Sequence, residues 1–215
     1  MNQRKISEST VRRLSLYLRL LREARPSGKR VLSSRELAER TGTTSAQVRK
    51  DLSFFGSFGK RGRGYDVDEL ERTLARILGL EQRWRVAIVG VGKIGSALLG
   101  YGDLARRGFD IVAAFDVDDA KVGRHASGVT VWPLDELETV VRSQEVTIGI
   151  IATPPEAAER TARRLADIGV SAILNFAPVK LSTPDSVAVR TMDVALELEG
   201  LSFALTSERG NGDAA

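Results

Sequence analysis

Three glycines in the run Gly90-Val91-Gly92-Lys93-Ile94-Gly95 have the spacing of a loop that holds a dinucleotide. The first glycine permits a tight turn, the second lets backbone approach a pyrophosphate, and the third lets a helix pack closely on a strand. Asp116 closes a later apolar run, where a carboxylate can accept the hydroxyls of an adenosine ribose. Asp118 and Asp119 follow it and would repel a 2′-phosphate, so the expected cofactor is NADH or NAD+ rather than the phosphorylated form. Tyr101 lies just beyond the helix that the glycines open, placed to report on a nicotinamide ring.

A different chemistry lies upstream, in Ser45-Ala46-Gln47-Val48-Arg49-Lys50-Asp51-Leu52-Ser53. With Val48 and Leu52 turned inward, about 100° per residue points Ala46, Lys50 and Ser53 outward and puts Gln47 and Arg49 on the flanks. Such a face suits a major groove: cations reach guanine or phosphate, and an amide reads adenine. Lys60, Arg61 and Arg63 sit among the glycines and aromatics of Phe54 to Tyr65, near the expected tip of a β-hairpin wing. The sequence has no cysteine and a single histidine, His125, in a glycine-rich stretch. That is a poor basis for acid–base catalysis or a metal site, so neither is expected. A response to redox state would have to come through a bound cofactor.

The elements that must position these residues follow from spacing. Thr10 to Glu23 reads as a helix, with Val11, Leu14, Leu18 and Leu21 at helical intervals. Two capping boxes come next, Ser33 with Glu36 and Thr44 with Gln47, around a turn at Thr41-Gly42. Two short helices on a tight turn make a helix-turn-helix unit. Val67, Leu70, Leu74 and Leu78 predict a connecting helix that ends at Gly79. Downstream, Arg85 to Val89, Ile111 to Phe115, Val146 to Ala152 and Ala172 to Phe176 read as buried strands of a parallel sheet. Thr153 is expected to cap a helix, with Pro154 at its first position and Glu156 completing the box. Thr153-Pro154 and Asn175-Phe176-Ala177-Pro178 would lie at the carboxyl edge of that sheet, beside the cofactor. Val187 to Val189 predicts a further strand, Asp193 to Glu199 a short helix and Leu201 to Leu205 a last strand.

Charge divides as the motifs do. Residues 1–83 hold 19 Lys/Arg against 10 Asp/Glu, a net of +9, whereas residues 84–215 hold 13 against 18, a net of −5. A basic module that meets a polyanion, joined to an acidic one, accounts for the split. No apolar run reaches the roughly 18 residues of a membrane span, and the N-terminal residues form no signal-peptide core. A cytoplasmic protein with no membrane partner is therefore expected. The fold class is α/β, with an N-terminal winged helix-turn-helix domain over 1–82 and a Rossmann-like dinucleotide-binding domain over 83–207. Residues 208–215 are expected to form a disordered tail.

These residues resemble one family along nearly the whole chain. Gln47 to Gly56 and Gly62 to Tyr65 look like the winged helix of Rex, the redox-sensing repressors. Gly90 to Gly95, Phe115-Asp116-Val117-Asp118, Lys121-Val122-Gly123 and Asn175 to Pro178 look like its NAD(H) domain, and Leu198 to Phe203 like its C-terminal end. The resemblance adds Val117 and Lys121 to the cofactor residues. It implies a homodimer on double-stranded operator DNA that leaves the DNA as NADH rises. It also implies a C-terminal helix around Asp193 swapped between protomers, and an Arg19–Asp193 contact that works with Tyr101 as a switch. Val194 departs from the bulky aromatic some relatives carry there.

Other readings stay open on the residues alone. The basic half could be a helical packing domain with a wet polar face, its glycine-rich segment a linker, and Tyr101 a core residue. The acidic half could serve an NAD-dependent oxidoreductase, or a DNA-binding sensor of another nucleotide such as coenzyme A.

Overall fold

The computed structural model of the chain describes residues 6–56, 58 and 64–212, and side chains as far as Thr206. Two compact units divide it, Met1–Gln82 and Arg83–Ala215.

In the first unit, α1 (Glu8–Ala24) starts at Ser7, whose hydroxyl accepts from the Thr10 N–H. Leu14, Tyr17, Leu18 and Leu21 form its buried stripe. The short strand β1 (Val31–Leu32) leads into α2 (Ser34–Thr41), where the Ser33–Glu36 capping box forms in both directions. Gly42, left-handed at φ 64°, then turns the chain toward α3 (Ser45–Ser53). Thr44 accepts from the Gln47 N–H, but the expected reciprocal half of that box is absent. The Gln47 amide is drawn to Asp51 instead. β2 (Tyr65–Asp66) pairs antiparallel with β1, and α4 (Val67–Ile77) packs Val67, Leu70 and Leu74 into the same core as α1 to α3. The ladder at the wing base thus recruits Val31 and Leu32, a partner outside the expected hairpin of 54–65. Tyr65 is buried, and Phe55 and Phe58 pack on the core, while Phe54 is exposed. Lys60, Arg61 and Arg63 lie outside the described residues.

The second unit is a seven-stranded sheet with helices on both faces. β3 (Trp84–Val89) is followed by α5 (Lys93–Leu99), α6 (Asp103–Arg106) and β4 (Phe109–Asp116). The hairpin β5 (His125–Ala126) and β6 (Val129–Pro133) leads to α7 (Leu137–Ser143), β7 (Ile148–Ile151), α8 (Pro155–Asp167), β8 (Ala172–Asn175) and β9 (Ala188–Thr191). The strand order is β5-β6-β4-β3-β7-β8-β9, parallel except for the β5–β6 hairpin. Cores cover both faces: Phe115, Leu137, Ile151, Ala162 and Leu165 on one, Val86, Ile88, Leu99, Ala114 and Ile150 on the other. That explains why these strands read as continuous apolar runs.

The last described element is α9 (Val194–Gly212), which corrects three expectations. Leu201 to Leu205 alternates large and small residues as a strand would, yet it is helical. Among the described residues no strand pairs with it, and a helix satisfies its backbone groups without one. Asp193 to Glu199 is accordingly the start of a long helix, and the expected disorder from 208 is replaced by helix as far as Gly212. No helix among the described residues is long and apolar enough to cross a membrane.

Candidate functional site

Adjacent parallel strands β4, β3, β7 and β8 finish side by side, with Asp116 and Asn175 as the last residues of β4 and β8 and Gly90 and Thr153 just beyond β3 and β7. Backbone bonds tie these ends together: Gly90 N–H to Phe115 O, Ala152 N–H to Val89 O, and Phe176 N–H to Ile151 O, each 2.8 Å. Gly90 adopts φ 96°, and a Cβ there would lie 2.6 Å from the Ala152 carbonyl. At Gly95 a Cβ would lie 1.9 Å from the Gly90 carbonyl, so α5 rests directly on the loop. A Cβ on Gly92 would meet nothing within 4 Å. The three glycines therefore serve two ends: Gly90 and Gly95 close the loop, and Gly92 keeps a face open. Val91 is buried, whereas Lys93 and Ile94 are exposed. Gly92 offers no side-chain cap to α5, which leaves first-turn N–H groups for an anion.

Asp116 is buried at the β4 end and heavily engaged. One carboxylate oxygen accepts from the Val91 N–H (2.7 Å) and Lys121 Nζ (3.1 Å), the other from the Asp118 N–H (3.0 Å). Burial opposes its charge, but the two N–H groups and the Lys121 ammonium outweigh it and hold the carboxyl below its usual range. Asp116 thus clamps the glycine loop, a task the sequence reading did not give it. Val117 is exposed beside it.

Thr153 does not cap α8, which begins at Pro155 with Pro154 before it and no side-chain cap bond. Its hydroxyl is buried and, among the described residues, lacks any hydrogen-bond partner. Such an orphan at a sheet's carboxyl edge fits a ligand contact. Asn175, in contrast, is fully buried and turned inward. Its amide donates to the Ala177 and Val179 carbonyls at 2.9 and 3.0 Å and accepts from the Ala177 N–H at 2.9 Å. It holds the Phe176-Ala177-Pro178 loop in shape, with Pro178 exposed and Ala177 buried. Tyr101 is 55% exposed, which rules out the core reading for it. The open glycine cradle, the carboxylate at the β4 edge and the Thr153 hydroxyl together fit a dinucleotide.

In the first unit, α3 buries Val48 and Leu52 and exposes Ala46, Arg49, Lys50 and Ser53, with Ser45 and Gln47 half-buried. Arg49 donates to the Ser34 hydroxyl of α2 (3.1 Å), and the Ser53 hydroxyl donates to the Lys50 carbonyl. Sequence reasoning missed Asp51. It is completely buried in the middle of α3 and receives a two-pronged bond from Arg13 of α1 (2.6 and 2.8 Å). The Tyr17 hydroxyl (3.0 Å) and the Gln47 amide (2.7 Å) also donate to it. One donor of Gln47 is therefore committed before any base is met. Burial disfavours the Asp51 carboxylate, yet the bonds from Arg13, Gln47 and Tyr17 win and lower its pKa below 3.8. Burial and the same carboxylate push the Tyr17 phenol up.

A lowered carboxyl pKa gives the sign of an acid effect. The Asp51 contribution is fully present above its unfolded value near 3.8 and fades as pH falls through the lower folded value. Acid unfolding of the first unit, followed by circular dichroism between about pH 5 and 2, should be shallower in Asp51→Asn. An unchanged acid profile would mean that other carboxylates govern it.

The remaining residues of interest have local partners. Arg19 pairs with Glu23 one turn on, at 3.2 Å. Asp193 accepts from the Ala195 N–H (2.9 Å) and so caps α9. On α9 itself Val194, Leu196, Leu198, Leu201, Phe203 and Leu205 are all 60–74% exposed. No metal-capable group of three or more His, Cys, Asp or Glu occurs among the described residues.

Comparison with known proteins bears on both sites. Residues 5–53 match a family model for a putative DNA-binding protein N-terminus, and residues 81–179 one for a CoA binding domain. The redox-sensing transcriptional repressor Rex of Desulforamulus reducens is 46% identical over 94% of this chain and 96% of its own. That of Carboxydothermus hydrogenoformans is 48% identical over 93% and 96%. Among solved structures, RSP, a Rex-family repressor, in complex with β-NADH matches 99% of this chain and all of its own, with TM-score 0.88 and 32% identity. The same protein with β-NAD+ and operator DNA matches 98% and 99%, with TM-score 0.90 and 34% identity.

Proposed function

This chain belongs to the Rex family of redox-sensing transcriptional repressors, and from that premise we propose that it holds operator DNA as a homodimer and leaves it when NADH fills the glycine cradle. The observation that carries the reading is the pairing, on one chain, of an α3 face ready for a groove with a sheet edge left open at Gly92. The relatives are named as repressors, not enzymes, and this chain is read likewise. A regulator of this kind works in the cytoplasm, where its DNA and its cofactor meet.

Ser45, Ala46, Gln47, Arg49, Lys50 and Ser53 face the major groove in this reading, with Lys60, Arg61 and Arg63 of the wing on the backbone. The Gly90–Gly95 loop takes the pyrophosphate and Asp116, Val117 and Lys121 the adenosine end. Thr153, Pro154 and the loop from Asn175 to Pro178 flank the rest of the cofactor, near Tyr101. A second copy covers the apolar α9, each helix exchanged with its neighbour. Two α3 helices about 34–36 Å apart then require a near-palindromic operator. Combined loss of Arg49 and Lys50 to alanine should abolish the gel shift while NADH titrates as before. A persisting shift would remove α3 from the interface.

The protein can release DNA only if its DNA-free form holds NADH more tightly than its DNA-bound form does. Moving the population from 1:99 to 99:1 takes about 5.5 kcal/mol. Two equivalent sites need about half of that each, within the roughly 1–3 kcal/mol typical of allosteric coupling. A snug apolar pocket around the nicotinamide would supply the preference, because the reduced ring is neutral and the oxidised ring carries a charge that is costly to bury. Tyr101 would sense the ring, and an Arg19–Asp193 contact would pass the state to the first unit. Linkage gives the test. Operator DNA must weaken NADH by the factor by which NADH weakens DNA, and Tyr101→Phe should shrink both together. Equal NADH affinities with and without operator would end the sensor reading.

A further inference from the structure

Lys121 joins the cofactor edge through two carboxylates at once. Its ammonium lies 3.1 Å from Asp116 Oδ2 and 3.5 Å from Asp118 Oδ2. It is partly exposed, on the turn that follows β4. On the dinucleotide reading Asp116 and Asp118 would face the 2′ position of an adenosine ribose, and Asp119 follows them in sequence. On carboxylates alone the edge would simply repel a 2′-phosphate. It also contains the cation that such a phosphate needs, held in pairing with those carboxylates.

We propose that Lys121 is a specificity-determining residue of the dinucleotide site: a receptor for a 2′-phosphate that Asp116 and Asp118 keep occupied. The inference rests on the dinucleotide reading of this edge and extends it. With Asp116 charged, Lys121 is spent on the two carboxylates, and a 2′-hydroxyl finds the remaining acceptor capacity of Asp116. Once the Asp116 charge is removed, the ammonium can turn to a phosphate. Its stem is long and flexible and its three donors rotate freely, so the move needs no backbone change. The Val91 and Asp118 N–H groups donate to different oxygens of Asp116, so the single amide oxygen of Asp116→Asn keeps one of these two ties to the loop. Discrimination against the phosphorylated cofactor then comes from two coupled sources, repulsion by Asp116 and capture of Lys121.

A double-mutant cycle separates the two sources. NADH and NADPH are titrated by calorimetry or nicotinamide fluorescence into the full-length protein and into Asp116→Asn, Lys121→Met and the double variant. The quantity read is the ratio of NADPH to NADH affinity. It should rise about tenfold or more in Asp116→Asn, as a charge-assisted bond becomes available. In the double variant it should fall back toward the native ratio, and in Lys121→Met alone it should fall below it. If the double variant keeps the full gain of Asp116→Asn, relief of repulsion is sufficient and Lys121 has no such role. Should Asp116→Asn lose its fold, the Lys121→Met comparison decides alone: an unchanged ratio overturns the proposal. Failure of the native protein to bind NADH at all would instead defeat the dinucleotide reading on which this rests.

Discussion

Asp51→Ala should destabilise the first unit by about 3–5 kcal/mol and abolish operator binding while the second unit still binds NADH. The magnitude follows from what the substitution strands. Asp51 is wholly buried and receives four donated bonds, two from Arg13 and one each from Tyr17 and Gln47. Removing the carboxylate leaves the buried Tyr17 phenol facing a cavity and the partly buried Arg13 guanidinium with Thr10 Oγ1 as its remaining acceptor among the described residues. Breaking a largely buried pair on one side costs more than the pair contributes, because the partner groups left behind stay at least partly desolvated and lose their acceptor. The functional effect follows from position. Asp51 fixes α3 to α1, so its loss frees the face that presents Arg49 and Lys50. Denaturant unfolding and a gel shift on the same preparation test both halves of the claim. A stable variant that binds operator normally would show that the network is dispensable. Asp51→Asn, which keeps the shape and one acceptor, should fall between the two.

The second large effect separates two glycines of the same loop. Gly92→Ala should leave stability unchanged and weaken NADH about 100-fold, the loss of two charge-assisted hydrogen bonds of roughly 1.5 kcal/mol each. The backbone at Gly92 is extended, with φ −79° and ψ −158°, and the new methyl meets no protein atom within 4 Å. Its only obstacle is a ligand. The variant should still hold operator DNA and should no longer release it on addition of NADH. Gly95→Ala is the counter-case. Its methyl would lie 1.9 Å from the Gly90 carbonyl, a backbone atom that cannot swing aside. Overpacking of this kind typically costs about 1–3 kcal/mol, so this variant should lose stability as well as cofactor. Melting curves distinguish the pair. Equal melting losses in both variants would contradict the open face assigned to Gly92.

What the sequence disclosed and what it withheld divide along contact distance. The glycine loop, the Ser33–Glu36 box and the inward faces of α1, α3 and α4 are local patterns, set by period and by caps a few residues apart. The Arg13–Asp51 pair joins residues 38 positions apart, and nothing near Asp51 marks it as buried. It also defeated a local rule, since the amide of Gln47 left its capping role for that carboxylate. Val31 and Leu32 went unnoticed as the wing's ladder partner because two residues carry no period. At the cofactor edge, strand ends identified the right loops but not the direction of each side chain: Asn175 turns inward and Thr153 caps nothing. Leu201 to Leu205 misled because alternation signals a strand only where another strand can pair with it.

Translation order gives α9 a particular liability. It follows every other described element in the chain, so both cores can close before it leaves the ribosome. What then emerges is a helix whose Val194, Leu196, Leu198, Leu201, Phe203 and Leu205 are left exposed among the described residues. In the proposed homodimer, that surface stays open to chaperones, to proteases and to other nascent chains until the second copy arrives. Two ribosomes working on one messenger would shorten the wait. Supply of the repressor would then depend on how closely its copies are made in space, as well as on how many are made.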